Sequence, residues 1–136
     1  MSHALQLRAL RGATTAQANT ADAISEAVGE LLDALVERNG LEADCLLSVT
    51  FSVTADLNAL FPAAIARRRP GWDGVALLDC QQMAVEGDLP RCIRLLAHSW
   101  LAEGQAPRHA YLREASRLRP DLAEPAALPP TAHADS

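Results

Sequence analysis

Ile24, Val28, Leu31, Leu32, Leu35 and Val36 recur at spacings of three and four, so a helix gathers them into one apolar stripe. Thr20 offers a side-chain acceptor to the first turn and Asn39-Gly40 terminates the last, which predicts a helix from about Thr20 to Arg38. Such a stripe has to be buried, and segments of β character flank it. Leu5 to Ala9 alternates weakly and predicts a first strand that ends at Arg11 before a tight turn at Gly12. Cys45 to Val53, rich in Val, Leu, Phe and Thr, predicts a buried strand, followed by a short helical turn capped within Thr54-Ala55-Asp56.

A second helix starts at Phe61-Pro62, with Pro at the first helical position, where its missing N–H has no intrahelical partner anyway. It must stop before Pro70-Gly71. Val75 to Leu78 reads as a third strand and Cys92 to Leu101 as a fourth, whose apolar run is broken by Arg94, His98 and Ser99. Arg94 is therefore a candidate inward-pointing charge. His109 to Ala115 reads as a last strand containing Tyr111. Residues 1–122 suffice for one domain, while the Ala- and Pro-rich tail, residues 123–136, offers too little apolar area to offset the entropy of ordering and is expected to be disordered.

Composition narrows the function. Aromatic residues make up only 4% of the chain, so Leu, Val and Ala must fill the core and a base-stacking surface is not expected. A net charge of -5 with scattered cations argues against nucleic acid as a partner. All twelve cations are arginines, whose planar fork suits bidentate binding of carboxylates. Cys45, Cys80 and Cys92 form no CxxC pair and the histidines have no ligand spacing, so neither a disulfide framework nor a metal site is suggested. Met1 to Leu10 lacks the apolar run of a signal peptide and no stretch approaches the ~20 apolar residues of a membrane span, which leaves the cytoplasm as the expected location.

Three arginine segments, Leu10-Arg11-Gly12-Ala13-Thr14-Thr15, Pro90-Arg91-Cys92-Ile93-Arg94 and Leu118-Arg119-Pro120-Asp121-Leu122, together read as a pocket for an anion. With Ala59-Leu60-Phe61-Pro62-Ala63 and Arg108-His109-Ala110-Tyr111-Leu112, they resemble the trimeric, mixed α/β class of chorismate mutases, in order from about Leu7 to about Leu122. The resemblance implies an α+β fold in which a mixed sheet packs with two helices per subunit, and a homotrimer with sites at subunit interfaces. It also implies the cofactor-free Claisen rearrangement of the dianion chorismate to prephenate, achieved by positioning and electrostatic complementarity alone.

By that resemblance Arg94 donates to the breaking ether oxygen and a carboxylate; its plain alternative is a salt-bridged strand arginine. Arg11 grips a carboxylate, and Tyr111 hydrogen-bonds one unless it is a core tyrosine with a satisfied hydroxyl. Phe61, Arg67, Leu118 and Arg119 come from a neighbouring subunit or the C-terminal segment, and Leu78 and Cys80 line the pocket. Arg67 also fits a plain reading, since the run Arg67-Arg68-Arg69 suits a helix C-terminus.

One segment departs from the pattern. Where the family has a glutamate that accepts from the ring hydroxyl and holds the key arginine, Leu77-Leu78-Asp79-Cys80-Gln81-Gln82-Met83 carries Gln82. An amide oxygen still accepts, without charge assistance. Asp79 is a candidate for the displaced carboxylate, on the condition that the segment bends, because residues three apart in a regular strand face opposite sides. Ala64 stands where some members place a lysine. Two other readings stay open: a paralogue for isochorismate or an aminated chorismate, and a binding or regulatory protein that has lost turnover.

Overall fold

The computed structural model describes residues 4–122. The expected tail, residues 123–136, lies outside the described residues. Helix α1 spans Ala21–Asn39, with Thr20 accepting the Ala23 N–H at 3.0 Å and Gly40 closing it at φ 60. Its stripe is buried as the spacing requires: Ile24, Val28, Leu31, Leu32 and Leu35 are each at most 1% exposed. Burying a side chain of this kind contributes roughly 1.5–3 kcal/mol. Helix α2, Pro62–Arg67, begins at its proline and adds Ala63 and Ala66 to the same core.

Strands β1 (Leu5–Thr15), β2 (Leu46–Val53), β3 (Ala76–Gln81), β4 (Cys92–Ala102) and β5 (Ala110–Tyr111) form one mixed sheet in the order β3-β2-β4-β1-β5. β4 pairs antiparallel with both β1 and β2, while β3 and β5 add parallel edges. Alternation along β4 splits the sheet into two faces: Ile93, Leu95, Ala97, Ser99 and Leu101 are buried, whereas Arg94, Leu96, His98 and Trp100 are not. The helices cover the first face, and among the described residues no helix covers the second.

Three expectations need correction. β1 does not end at Arg11 but runs on to Thr15, and Gly12 is a strand residue rather than a turn. A Cβ there would sit 3.2 Å from both Leu31 Cδ1 and Leu95 Cγ and 3.3 Å from the Ala110 carbonyl, so glycine serves close packing of α1, β4 and β5. The last strand is only two residues long. Arg113, at φ 52, leaves the sheet because its guanidinium reaches α1 and β1, bonding Glu30 at 2.9 Å and the Thr15 carbonyl at 3.0 Å, and the chain continues as a 3-10 helix, Arg113–Arg117. Thr54-Ala55-Asp56 forms a single turn, with the Leu57 N–H bonded to the Thr54 carbonyl, and the chain runs on to Phe61 without a helix.

Among the described residues, no helix is long and apolar enough to cross a membrane. Cys45, Cys80 and Cys92 are all free thiols.

Candidate active site

Register decides which candidates meet. Ala13 pairs with Arg94 on one side and with Tyr111 on the other, and Arg11 lies two residues before Ala13. Residues two apart in a strand share a face, so Arg11, Tyr111 and Arg94 all stand on the helix-free face. The inward charge expected at Arg94 is instead aimed away from the core: its side chain is 40% exposed, because even positions of β4 face away from α1. The β4 end that carries it is fixed by Thr54, whose hydroxyl oxygen accepts the Cys92 N–H at 2.9 Å, and by Asp56, which accepts the Arg91 N–H at 2.9 Å.

Gln82 follows directly on β3, its N–H bonded to the Val53 carbonyl at 2.7 Å. Its side chain meets Asp88, to which Nε2 donates, and Asp88 Oδ1 lies 3.4 Å from Arg94 Nη2. Ser52, Gln82, Met83, Val85, Asp88 and Arg94 line a cavity of about 460 Å³, within the ~300–1,000 Å³ usual for small-molecule sites. Two buried polar atoms there have no protein partner, the acceptor Gln82 Oε1 and the donor Arg94 Nε. A ligand carrying one hydroxyl and one acceptor oxygen would satisfy both.

Arg11 is exposed, and its backbone N–H donates to His109 Nδ1 at 2.9 Å. Burial, together with the charges of Arg11 and Arg119, holds the His109 imidazole below its usual pKa, so a neutral acceptor ring is favoured. The segment leading to Tyr111 is tied to the end of α1: Asn39 Nδ2 donates to the Arg108 carbonyl at 2.8 Å, Asn39 Oδ1 accepts the Arg108 N–H at 2.7 Å, and Arg38 donates to the His109 carbonyl. Arg119 is occupied by Asp121 in a two-point pair, Nε to Oδ1 at 3.0 Å and Nη2 to Oδ2 at 2.8 Å. Leu118 is half-buried beside it.

The bend required for Asp79 to reach Gln82 is absent. β3 pairs regularly with β2 from Ser48↔Ala76 to Val53↔Gln81, so Asp79 faces the helices while Leu78 and Cys80 face the open side. Asp79 instead accepts the Ala63 N–H at 3.0 Å in the first turn of α2. Burial raises its pKa, opposed by that bond and by the charge of Arg67. Phe61, Asp79 and Cys80 line a second cavity of about 460 Å³ beside α2. Phe61 is 70% exposed and Leu78 58%, and Arg67 is exposed at the end of α2. Within one chain the candidates thus form two groups, Arg11, Gln82, Arg94 and Tyr111 on one, Phe61, Arg67 and Asp79 on the other.

Asp88 and His109 are the contacts that sequence reasoning missed. The signal for Asp88 was the sequence Glu86-Gly87-Asp88: Gly87 at φ 83 lets Asp88 N–H bond back to the Val85 carbonyl, a turn that returns the carboxylate over Gln82.

The family model described as chorismate mutase type I matches residues 7–122. The chain is 45% identical over 119 residues to the chorismate mutase AroH of Thermus thermophilus, covering 85% of this chain and 96% of that protein. It is 35% identical over 120 residues to the chorismate mutase AroH of Bacillus subtilis (strain 168), covering 87% and 94%. Among solved structures, the chorismate mutase from Clostridium thermocellum matches with a TM-score of 0.74 at 41% identity, over 81% of this chain and 98% of that one. The family match takes in β1 from Leu7 onward, the other four strands, both helices and the open-face residues Arg11, Arg94 and Tyr111, and the chain belongs to the chorismate mutase type I family.

Proposed function

We propose that this protein converts chorismate to prephenate in the biosynthesis of aromatic amino acids, as a cytoplasmic homotrimer whose sites lie between subunits. The observation that carries the reading is Arg94: a guanidinium with its Nε buried and unpartnered, in a cavity where the only other unpartnered buried polar atom of its lining is the acceptor Gln82 Oε1. In a Claisen rearrangement the ether C–O bond breaks as a new C–C bond forms, with no nucleophile and no covalent intermediate. Catalysis is then the fixing of one conformer and the stabilisation of charge developing on the ether oxygen.

Each side chain takes a part in that task. Arg94 donates to the ether oxygen, where the demand for a donor grows as the bond lengthens, and Gln82 Oε1 accepts from the ring hydroxyl. Arg11, Tyr111 and Arg119 bind carboxylates, with Leu118 closing over the ligand. Leu78 and Cys80 line the wall. Phe61 and Arg67, which lie on the other side of their own sheet, reach the ligand from a neighbouring subunit.

Support for the trimer comes from the open face, where Leu5, Leu7, Leu47, Leu78, Leu96 and Trp100 are each at least 40% exposed. Large apolar side chains exposed along one sheet face are the kind of surface that a partner subunit covers. Sedimentation equilibrium should return three times the chain mass; a monomer at micromolar concentration would contradict the interfacial site. Arg94→Ala should lower kcat at least about 10²-fold, as loss of a transition-state donor does. A variant within a few-fold of wild type would remove Arg94 from the reaction.

A further inference from the structure

Asp88 is assigned no part by the resemblance, yet it touches both side chains on which the proposed reaction turns. A carboxylate offers only acceptors, so the end of the Gln82 amide that faces it must be the NH2 group. The amide is thereby oriented, and Oε1 is turned away from Asp88, where it stays buried without a partner. Without that constraint the two ends of a glutamine amide are nearly interchangeable in shape, and the same side chain could present a donor instead of an acceptor.

The same carboxylate faces Arg94. Its Oδ1 lies 3.4 Å from Nη2, an ion-pair distance, and the two side chains are 23% and 40% exposed, so solvent screens the pair only in part. Asp88 is itself held by the backbone. The Leu89 N–H donates to Oδ1 at 2.8 Å, and the turn at Gly87 is closed by the Asp88 N–H bonding the Val85 carbonyl at 3.1 Å. A loop carboxylate so fixed can orient others.

We propose that Asp88 is a positioning residue which makes Gln82 a hydrogen-bond acceptor and holds Arg94 toward the cavity, so that the negative charge absent from position 82 acts from position 88. This rests on the chorismate mutase reading. It makes Asp88 a determinant of specificity as well as rate, because an acceptor at Gln82 Oε1 selects a ligand whose ring substituent is a donor.

Chorismate turnover by the wild-type protein is measured first, so that a failure of the functional reading is told apart from a failure at Asp88. Asp88→Asn preserves the size of the side chain while removing its charge and its acceptor-only character. With thermal melting to show that the fold persists, this variant should lose at least tenfold in kcat and less than threefold in KM. Adding Gln82→Glu to Asp88→Asn restores a carboxylate beside Arg94 and should recover at least half of that loss on a logarithmic scale. Gln82→Glu alone sets two carboxylates in contact, so its kcat should acquire a pH dependence near neutrality that the double variant lacks. Asp88→Asn with kcat within threefold of wild type would overturn the proposal. So would a double variant no faster than Asp88→Asn.

Discussion

The carboxylate of Asp79 accepts the backbone N–H of Ala63 at 3.0 Å, so a residue of β3 satisfies one of the free donors in the first turn of α2. This bond serves as a cap contributed from a distant strand, and it sets the position of Phe61 and Arg67 at the two ends of a helix only six residues long. Asp79→Ala should therefore destabilise the protein by about 1 kcal/mol, and Asp79→Asn by less because it keeps an acceptor. Chemical denaturation measures both. The Asp79 carboxyl, raised by burial, should titrate in the folded protein above 3.8. The unfolded chain then ionises first, so the group's contribution to stability falls as pH rises from 3.8 through the folded value. An NMR titration of the carboxyl carbon checks the midpoint.

Gly12 bears on the site through packing. A methyl group there meets Leu31, Leu95 and the Ala110 carbonyl at once, and Ala110 precedes Tyr111. Overpacking outweighs the entropy that alanine removes from the unfolded chain, leaving Gly12→Ala less stable by about 1 kcal/mol. Its KM for chorismate should rise as β5 is pushed away from β1. An unchanged melting temperature would show that the neighbours yield freely.

His109 should make stability depend on pH. Its folded pKa is lowered, by burial first and then by Arg11 and Arg119, so the unfolded chain takes up this proton before the folded one does. The stabilisation is complete above 6.5 and is lost as pH falls from there through the folded value. Denaturation midpoints measured from pH 7.5 to 5 should decline more steeply for wild type than for His109→Asn. Parallel curves would count against a lowered value.

Asp121 takes the Nε and one Nη2 donor of Arg119, so under the proposed function it competes with a substrate carboxylate for that face of the guanidinium. Asp121→Asn should release that fork and lower KM several-fold at low ionic strength with kcat nearly unchanged, and the gain should shrink as salt is added. A higher KM would mean that Asp121 holds Arg119 in its productive place.

What could be read from the chain was what depends on neighbours in sequence. The Thr20 cap, the Asn39-Gly40 stop and the start at Pro62 each rest on backbone groups within a few residues, and all three stand as expected. Arg94, Arg11 and Tyr111 could be named as a group, but their common face follows from strand register, which pairs Ala13 with both Arg94 and Tyr111. Gly12 reads as a turn residue in the sequence because its reason lies on α1, β4 and β5 rather than beside it, and β5 reads as longer than it is because Arg113 is claimed by Glu30 and Thr15, far away in the chain. Asp79 looked like the displaced charge on proximity to Gln82 alone, and the alternation of a regular strand carries it to the opposite face. Asp88 needed the turn at Gly87 before its place over Gln82 could be seen.

Chromatographic analysis of chorismate incubated with the purified protein and with its Arg94→Ala variant tests the central claim most directly. The account predicts prephenate in one-to-one yield from the chorismate consumed, at a rate proportional to protein concentration, and a rate at least about 10²-fold lower for the variant. Chorismate left unconverted by the wild-type protein, or converted equally well by the variant, would contradict it.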